Sequence, residues 1–286
     1  MSVGTLYIVS TPIGNLGDLT IRAIDVLRAA ALVLAEDTRH ARTLFTRYEI
    51  HTPTAALHEH NEARSAPRLV ARLTEGEDLA LITDAGTPLL SDPGARLVRA
   101  AIDAGVPVVP VPGASALLAA LAGAGLPMDR FTFFGFLPRR GADRHEAIAA
   151  IAALTHVAVL YEAPPRVAAT LADLAAAGLG DRPAAVAREL TKRFEEFRRG
   201  TVEELAAYYA DTAIRGEVVL VVGEGATAEP DPAVWRDQVR TLRATGITRR
   251  EIVALLVAEH GVPRNAAYRL AHEPDGEDVD DRERSV

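Results

Sequence analysis

Three short segments rich in glycine and small polar residues follow apolar, strand-like runs and have the composition of ligand-binding loops. They are STPIGNLGDLT at 10–20, ITDAGTPLLSDPG at 82–94 and VPGASA at 111–116. Open α/β sheets bind ligands at the carboxyl ends of their strands, and glycine lets the backbone approach a ligand closely. Together the loops predict a crevice for a nucleotide-like small molecule, although each alone could be an ordinary turn.

Several other chemistries are disfavoured by what the chain lacks. It has no glycine–lysine pair, so it has no P-loop for phosphoryl transfer. The segment around Ser115 reads GASAL and lacks the second glycine of a hydrolase nucleophile elbow. The absence of cysteine excludes disulfides, thiolate ligands and cysteine nucleophiles, and we predict no metal site.

The elements that would position these loops form an alternating pattern typical of parallel α/β sheets. Asp92 and Pro93 fit the N-cap and first position of one helix, and Thr201 with Glu204 forms a capping box for another. The fold class predicted is therefore α/β. Strands are predicted at 5–10, 31–36, 79–84, 107–111, 131–136, 156–162, 184–190 and 216–222.

With 286 residues, the chain is long enough for two compact α/β domains and a small appendage. The composition changes after residue 223 to a Gly/Ala/Pro/acid stretch typical of a linker. We predict an N-terminal α/β domain at 1–112, a second at 113–223, a linker at 224–232, a helical module at 233–272 and a disordered acidic tail at 273–286.

The helical module contrasts in charge with the rest of an acidic chain whose net charge is −8. Thr248 with Glu251 and then Pro263 start two short helices joined by a tight turn. Their arginines could dock on a phosphate backbone in helix-turn-helix fashion, or the helices could simply pack as a cap. The net charge disfavours non-specific coating of nucleic acid. The arginines are Arg249, Arg250, Arg264 and Arg269.

No apolar run reaches the roughly 18 residues needed to cross a bilayer, and the N-terminus lacks the basic segment of a secretion signal. We therefore expect a cytoplasmic protein.

Nine motifs, in order along residues 5–222, give the chain a specific resemblance. They are TPIGNLGD, AEDTRH, LHEHNE, DAGTPLLSDPG, PGASA, FFGFLPR, YEAPPR, ARELTK and GEVVLVV. With these motifs the chain resembles the ribosomal RNA small subunit methyltransferase I family of the tetrapyrrole methylases, and residues 248–272 are similar to that family's C-terminal helical module. One departure is Pro165, where a histidine is expected before the arginine.

The resemblance implies a homodimer that binds S-adenosylmethionine between two α/β domains of tetrapyrrole-methylase type. It also implies methylation of a cytidine ribose 2′-hydroxyl in the 16S rRNA of the small ribosomal subunit. The implied cofactor-binding residues are Pro12, Gly14, Asp84, Ala85, Gly86, Thr87, Pro88, Gly113, Ser115, Tyr161, Ala163, Pro164 and Glu217.

A ribose hydroxyl is a poor nucleophile, so a nearby base or cation should assist the transfer. Asp37 directly follows a strand and is the first candidate, although it could equally be a helix N-cap. Lys192, the only lysine among 31 basic residues, is the second, and chance could explain it. The remaining candidates are Arg39, His58, His60 and Glu162; the two histidines could instead form a hydrogen-bonded loop.

Clusters of basic residues beside these motifs predict an RNA-facing surface, although each cluster could be an ordinary solvated face. The residues are Arg139, Arg140, Arg144, Lys192, Arg193, Arg198 and Arg199, with Arg249 and Arg250 in the helical module. Two other functions stay open: methylation of a macrocycle or modified protein residue, and a non-catalytic nucleotide-binding regulator.

Overall fold

The computed structural model describes residues 2–225, 232–260 and 262–273, which belong to two compact units at 1–224 and 225–286. Most of the predicted linker (226–231) and of the predicted acidic tail (274–286) lies outside the described residues. The predicted division of the first unit at residue 112 stays a prediction. No described helix combines the length and apolarity that a membrane span requires.

The first sheet of unit 1 is parallel and has the order β3-β2-β4-β1-β5. Every residue of β2 and β4 is buried, as expected for central strands covered by helices on both faces. Its strands are β1 (Leu6–Val9), β2 (Leu32–Ala35), β3 (Thr54–Ala56), β4 (Leu79–Ile82) and β5 (Val108–Val111). The helices are α1 (Ile21–Ala29), α2 (Thr38–Arg47), α3 (Glu59–Thr74) and α4 (Ala95–Asp103).

The start of α4 differs from the prediction that Asp92 and Pro93 are its N-cap and first residue. The N-cap is Gly94, which has φ 122°. A Cβ at Gly94 would lie 2.5 Å from Leu81 Cδ2, so the chain needs glycine to turn against β4 before the helix begins. Asp92 therefore lies in the preceding loop.

The second sheet has the order β6-β7-β10-β8-β9 and is mixed, so the prediction of parallel sheets is wrong for this half. β6 and β7 are parallel, whereas β10 is antiparallel to β7 and β8, and β8 is antiparallel to β9. A short loop joins β8 to β9, and such a loop can only return the chain antiparallel. The strands are β6 (Phe131–Phe136), β7 (Val157–Glu162), β8 (Pro183–Arg188), β9 (Glu196–Thr201) and β10 (Val218–Val222).

The helices around the second sheet include α8, whose predicted capping box is confirmed: Thr201 Oγ1 accepts from Glu204 N, and Glu204 accepts from Thr201 N. Ser115 is the N-cap of α5. These helices are α5 (Ala116–Ala124), α6 (Ala142–Ala152), α7 (Val167–Leu174) and α8 (Val202–Ala210).

The described part of the second unit consists of three helices, α9 (Pro232–Ala244), α10 (Arg249–His260) and α11 (Arg264–His272). Ile252, Leu256 and Leu270 are in its small apolar core. The predicted capping box at α10 is confirmed, because Thr248 N donates to Glu251 Oε2 at 2.9 Å. The sequence-based prediction specified α10 and α11 but not α9.

Candidate active site

Two of the predicted ligand loops are joined directly at the carboxyl ends of β1 and β4. Thr11 N donates to the Gly86 carbonyl at 2.8 Å, and Gly86 N donates back to the Thr11 carbonyl at 3.1 Å. Gly86 has φ 85°, and a Cβ there would lie 3.3 Å from Ile13 Cγ2. The third loop is equally close, since a Cβ on Gly113 would lie 2.9 Å from Ser10 Cβ.

A cavity of about 500 Å³ opens beside these loops and takes its walls from both sheets of unit 1. Five of its lining residues carry carboxylates, and among the described residues that line it none is basic. Its walls therefore have an acidic character. The lining residues are Ile13, Glu36, Thr83, Asp84, Ala85, Gly86, Thr87, Leu90, Ser91, Asp92, Ala116, Phe136, Tyr161, Glu162, Ala163, Pro164, Leu190, Gly216, Glu217, Val218 and Val219.

Three carboxylates surround Thr83 on one side of the cavity. Thr83 Oγ1 donates to Glu36 Oε2 at 3.2 Å, and Asp84 is the next residue along the chain. Burial raises the pKa of Asp92 to about 6, and the charges of Glu36 and Asp84 add to the rise. Asp92 can therefore exchange a proton near neutral pH.

The backbone that leads into Asp92 is strained. Leu89 and Ser91 have φ values of 74° and 73°, in the left-handed region that side chains other than glycine rarely adopt. Such conformations cluster at functional sites because the surrounding structure must stabilise them. Asp92 follows this strained segment directly and lines the cavity.

The opposite wall is aromatic. The Tyr161 ring packs edge-on against Phe133 at 4.8 Å and Phe136 at 5.6 Å between centroids. Burial raises the pKa of the Tyr161 phenol above its ordinary value. Tyr161 is therefore a neutral ring at neutral pH.

Glu162 lines the cavity but is committed to hydrogen bonds within the protein. Its side chain is fully buried, accepts from Thr170 Oγ1 at 2.6 Å and from Ala163 N at 2.8 Å, and pairs with Arg166 at 3.2 Å. These bonds fix the turn from β7 into Ala163 and Pro164. The geometry favours a positioning role for Glu162 over that of a free base.

Lys192 lies at the edge of the cavity through its contact with Glu217. Its Nζ is 2.8 Å from Glu189 Oε1 and 3.0 Å from Glu217 Oε2. Burial alone would lower the pKa of Lys192, but hydrogen bonds to both carboxylates raise it above its ordinary value. A Cβ on Gly14 would lie 2.5 Å from Lys192 Cγ, so this glycine makes room for the lysine stem. Lys192 is a fixed cation.

Asp37 is the N-cap of α2, as the alternative interpretation predicted. Arg39 binds its carboxylate with both backbone and side chain, and these hydrogen bonds lower the pKa of Asp37 to about 2. Asp37 N donates to Asp84 Oδ1 at 3.1 Å, which connects it to the cavity wall. A carboxylate held this way is a weak proton acceptor.

His58 and His60 lie at the start of α3 and not in a separate loop. His58 is the N-cap, and the two rings are 5.9 Å apart. Neither histidine lines the cavity described above.

A second cavity of about 250 Å³ shares Thr83 and Asp84 with the first and is lined also by Pro12, Gly14 and His40. Of the thirteen predicted cofactor-binding residues, ten line one of the two cavities or both. Three others, Pro88, Gly113 and Ser115, line neither. Eight of the ten line the larger cavity, and Pro12 and Gly14 line the smaller one; the eight are Asp84, Ala85, Gly86, Thr87, Tyr161, Ala163, Pro164 and Glu217.

The predicted basic surface is divided by the structure. Arg139, Arg140 and Arg193 are exposed. Arg144 is buried, so it does not belong to a surface cluster. Its guanidinium pairs with Asp173 at 2.7 Å and stabilises the packing of α6 on α7.

Two further arginines of that surface make local contacts. Arg198 stacks over the Tyr208 ring, with Cζ 3.7 Å from the centroid. Arg199 donates to the carbonyls of Gly123 and Ala124 at the end of α5.

Among the cavity residues that sequence reasoning missed are Glu36, Thr83 and Asp92. Glu36 and Thr83 directly follow β2 and β4, so their position at the carboxyl edge of a parallel sheet was a usable signal. Asp92 had no such signal, because its sequence context resembles a helix start.

Comparisons with known proteins find relatives over most of the chain. Residues 5–206 match the family model described as Tetrapyrrole (Corrin/Porphyrin) Methylases. A protein of Micromonospora olivasterospora named Ribosomal RNA small subunit methyltransferase I is 47% identical, over 96% of this chain and 89% of that protein. One of the same name from Escherichia coli O157:H7 is 44% identical, over 96% and 97%.

Solved structures of low sequence identity share the fold. Diphthine synthase has a TM-score of 0.62 at 17% identity, over 77% of this chain and 90% of that one. Uroporphyrin-III C-methyl transferase from Thermus thermophilus, complexed with S-adenyl homocysteine, has a TM-score of 0.55 at 20% identity, over 77% and 98%. From the matched model and the close relatives, the chain belongs to the tetrapyrrole methylase family.

Proposed function

We propose that this protein is an S-adenosylmethionine-dependent methyltransferase whose substrate is 16S rRNA in the small ribosomal subunit. The names of its close relatives support the rRNA substrate. The motif resemblance supports a cytidine ribose 2′-oxygen as the acceptor. The ordered match from TPIGNLGD to GEVVLVV, together with the helical module, favours this function over methylation of a macrocycle.

The observation that carries the proposal is the character of the larger cavity. Its acidic and aromatic walls suit a ligand with positive charge, because carboxylates attract a cation and the face of a tyrosine ring does the same. Its volume of about 500 Å³ is in the range of pockets that bind cofactors. A sulfonium cofactor fits both properties.

The residues that would hold S-adenosylmethionine are the Asp84–Thr87 loop on one side and the turn at Ala163 and Pro164 on the other. When bound, the cofactor supplies a methyl group already activated on sulfur, so the protein contributes chiefly orientation. Because Gly86 has no side chain, its loop can lie close to Ile13 and form one wall of the cavity. Glu162 fixes the turn at Ala163 and Pro164 on the opposite side.

Asp92 is the best placed group to receive the proton of the acceptor hydroxyl. A general base works best when its pKa lies near the working pH, and burial raises the pKa of Asp92 to about 6. The pKa of Asp37 is about 2 because Arg39 binds it, so Asp37 orients its neighbours instead. This assignment replaces Asp37 as first candidate.

Lys192 supplies a positive charge near the acceptor. Its two carboxylate partners hold the ammonium at a defined position, where it can bind a phosphate or favour loss of the hydroxyl proton. Arg139, Arg140 and Arg193 are exposed and available to rRNA, and Arg198 and Arg199 add positive charge on β9.

The remaining features of the proposal concern its setting. The protein acts in the cytoplasm, as a homodimer, on small subunits. The division at residue 112 gives two α/β domains with the cofactor between them, in keeping with a cavity lined from both sheets.

Calorimetry with S-adenosylmethionine followed by a methyl-transfer assay on unmodified small subunits tests the proposal. We expect binding and transfer. Binding without transfer to any RNA would instead indicate a nucleotide-binding regulator.

A further inference from the structure

The second unit carries a groove of about 610 Å³ between α10 and α11 that the proposed methyl-transfer chemistry does not use. Its apolar floor comes from consecutive turns of α10, at Val253, Ala254 and Val257. Tyr268 and His272, one turn apart on α11, form the facing side. The helical spacing gives the groove one continuous apolar and aromatic surface.

The aromatic side of the groove is open to solvent. Tyr268 is 58% exposed, and its ring stacks on His272 with centroids 4.0 Å apart and planes 24° apart. His272 Nδ1 is 2.9 Å from the Tyr268 carbonyl and donates to it, which fixes the imidazole beneath the tyrosine. The pair is a flat, pre-formed platform, and such platforms stack nucleic-acid bases independently of sequence.

The rim of the groove is cationic. Arg249, Arg250 and Arg264 line it and make no ion pair with any residue that the structure describes. By contrast, Arg236 and Arg240 of the same unit pair with Glu273 and Asp237. Three guanidinium groups without an ion-pair partner among the described residues surround an apolar floor, which favours an anionic ligand with a flat apolar part.

We propose that this groove binds an unpaired segment of RNA, with one base stacked on Tyr268 and the flanking phosphates held by Arg249, Arg250 and Arg264. The choice of rRNA as the source of that segment rests on the proposed function. Duplex RNA would satisfy the arginines but keeps its bases stacked inside the helix. An acidic peptide would satisfy the arginines but leave the ring platform unused.

The test measures binding of a fluorescent single-stranded RNA of about eight nucleotides to the full-length protein by anisotropy at low salt. Tyr268→Ala should weaken RNA binding about tenfold or more, whereas Tyr268→Trp keeps a stacking ring and should bind the RNA as the wild type does. An abasic version of the RNA should bind the wild type as weakly as the intact RNA binds Tyr268→Ala. Thermal unfolding by circular dichroism confirms that the exposed substitution leaves the fold intact.

The charge component has its own matched pair of variants. Arg250→Glu should weaken binding and reduce the slope of log affinity against log salt by about 0.7, the value for one phosphate contact on a single strand. Arg240→Glu makes the same change in net charge outside the groove and should leave the slope unchanged.

Equal binding of intact and abasic RNA, or unchanged binding by Tyr268→Ala, would overturn the stacking platform. The proposal would also be overturned if the protein preferred duplex RNA, or if removal of residues 274–286 changed RNA binding whereas Tyr268→Ala did not. Either result would identify another occupant of the groove. Because this assay needs no methyl donor, it reports on the groove even if methyl transfer fails. Methyl transfer that is insensitive to Tyr268 would leave the proposed function standing without the groove.

Discussion

Replacing Asp92 by asparagine should make the protein more stable and less active at neutral pH. Burial raises the pKa of Asp92 from its ordinary value of 3.8 to about 6, so its ionised form is disfavoured in the folded state. The unfolded chain ionises near pH 3.8 without that cost. The folded protein therefore loses stability as pH rises from below 4 to above 6, which is opposite to the usual behaviour of a paired carboxylate.

The size of this effect follows from the pKa difference. Each tenfold change in the acidity constant is worth about 1.4 kcal/mol, which would give about 3 kcal/mol for the full rise. Asp92 is only half-buried, and screening by solvent reduces the figure to about 1–2 kcal/mol. Asparagine has the same shape and removes the charge. The free energy of unfolding of Asp92→Asn should therefore exceed that of the wild type by this amount at pH 7.5 and equal it below pH 4.

Urea unfolding at pH 7.5 and at pH 4 measures the gain, and the pH profile of methyl transfer measures the activity. The wild-type rate should rise between about pH 5 and 7 as Asp92 ionises, and Asp92→Asn should be slow without that rise. Asp103→Asn, on the exposed face of α4, is the matched control and should change neither the free energy of unfolding nor the pH profile of methyl transfer. A less stable Asp92→Asn protein at pH 7.5, or an unchanged pH profile, would refute the reasoning.

Three other variants test separate parts of the structure. Gly86→Val places a side chain where φ is 85° and Ile13 is close, so calorimetry should show lost S-adenosylmethionine affinity in a folded protein; unchanged affinity would remove this loop from the site. Lys192→Arg keeps the charge but changes its reach, so the rate should fall with donor affinity intact, and full activity would make Lys192 an ordinary surface charge. Leu160→Ala empties a fully buried site in β7 and should lower the free energy of unfolding by about 2–5 kcal/mol; a loss below 1 kcal/mol would contradict its core assignment.

The strands that line the core could be predicted because burial on both faces leaves a continuous apolar run. All four residues of β4 are buried, and the sequence-based boundary agrees with the structure to within two residues. β9 was missed because its residues, EFRRGT, are mostly polar and lie at the edge of the second sheet. β3, three residues long and also at an edge, gave equally little apolar signal.

The site was predictable where it depends on loops that follow strands and was not where it depends on long-range contacts. Asp84 and Gly86 follow β4, and the structure places them in the cavity wall as that position predicts. The ion pairs of Lys192 with Glu189 and Glu217 join residues up to 25 positions apart, so spacing alone could not show them. The burial that raises the pKa of Asp92 likewise arises only in the folded chain.

The most direct test of the central claim is transfer of a labelled methyl group from S-adenosylmethionine to unmodified small ribosomal subunits, followed by mass spectrometry of the nucleosides. The protein's net charge of −8 gives it little general affinity for phosphates, so transfer to the same RNA free of protein should be much slower. We predict label in 2′-O-methylcytidine from the subunits. A methyl group on a base, or no transfer to RNA by a protein that binds the donor, would contradict the account.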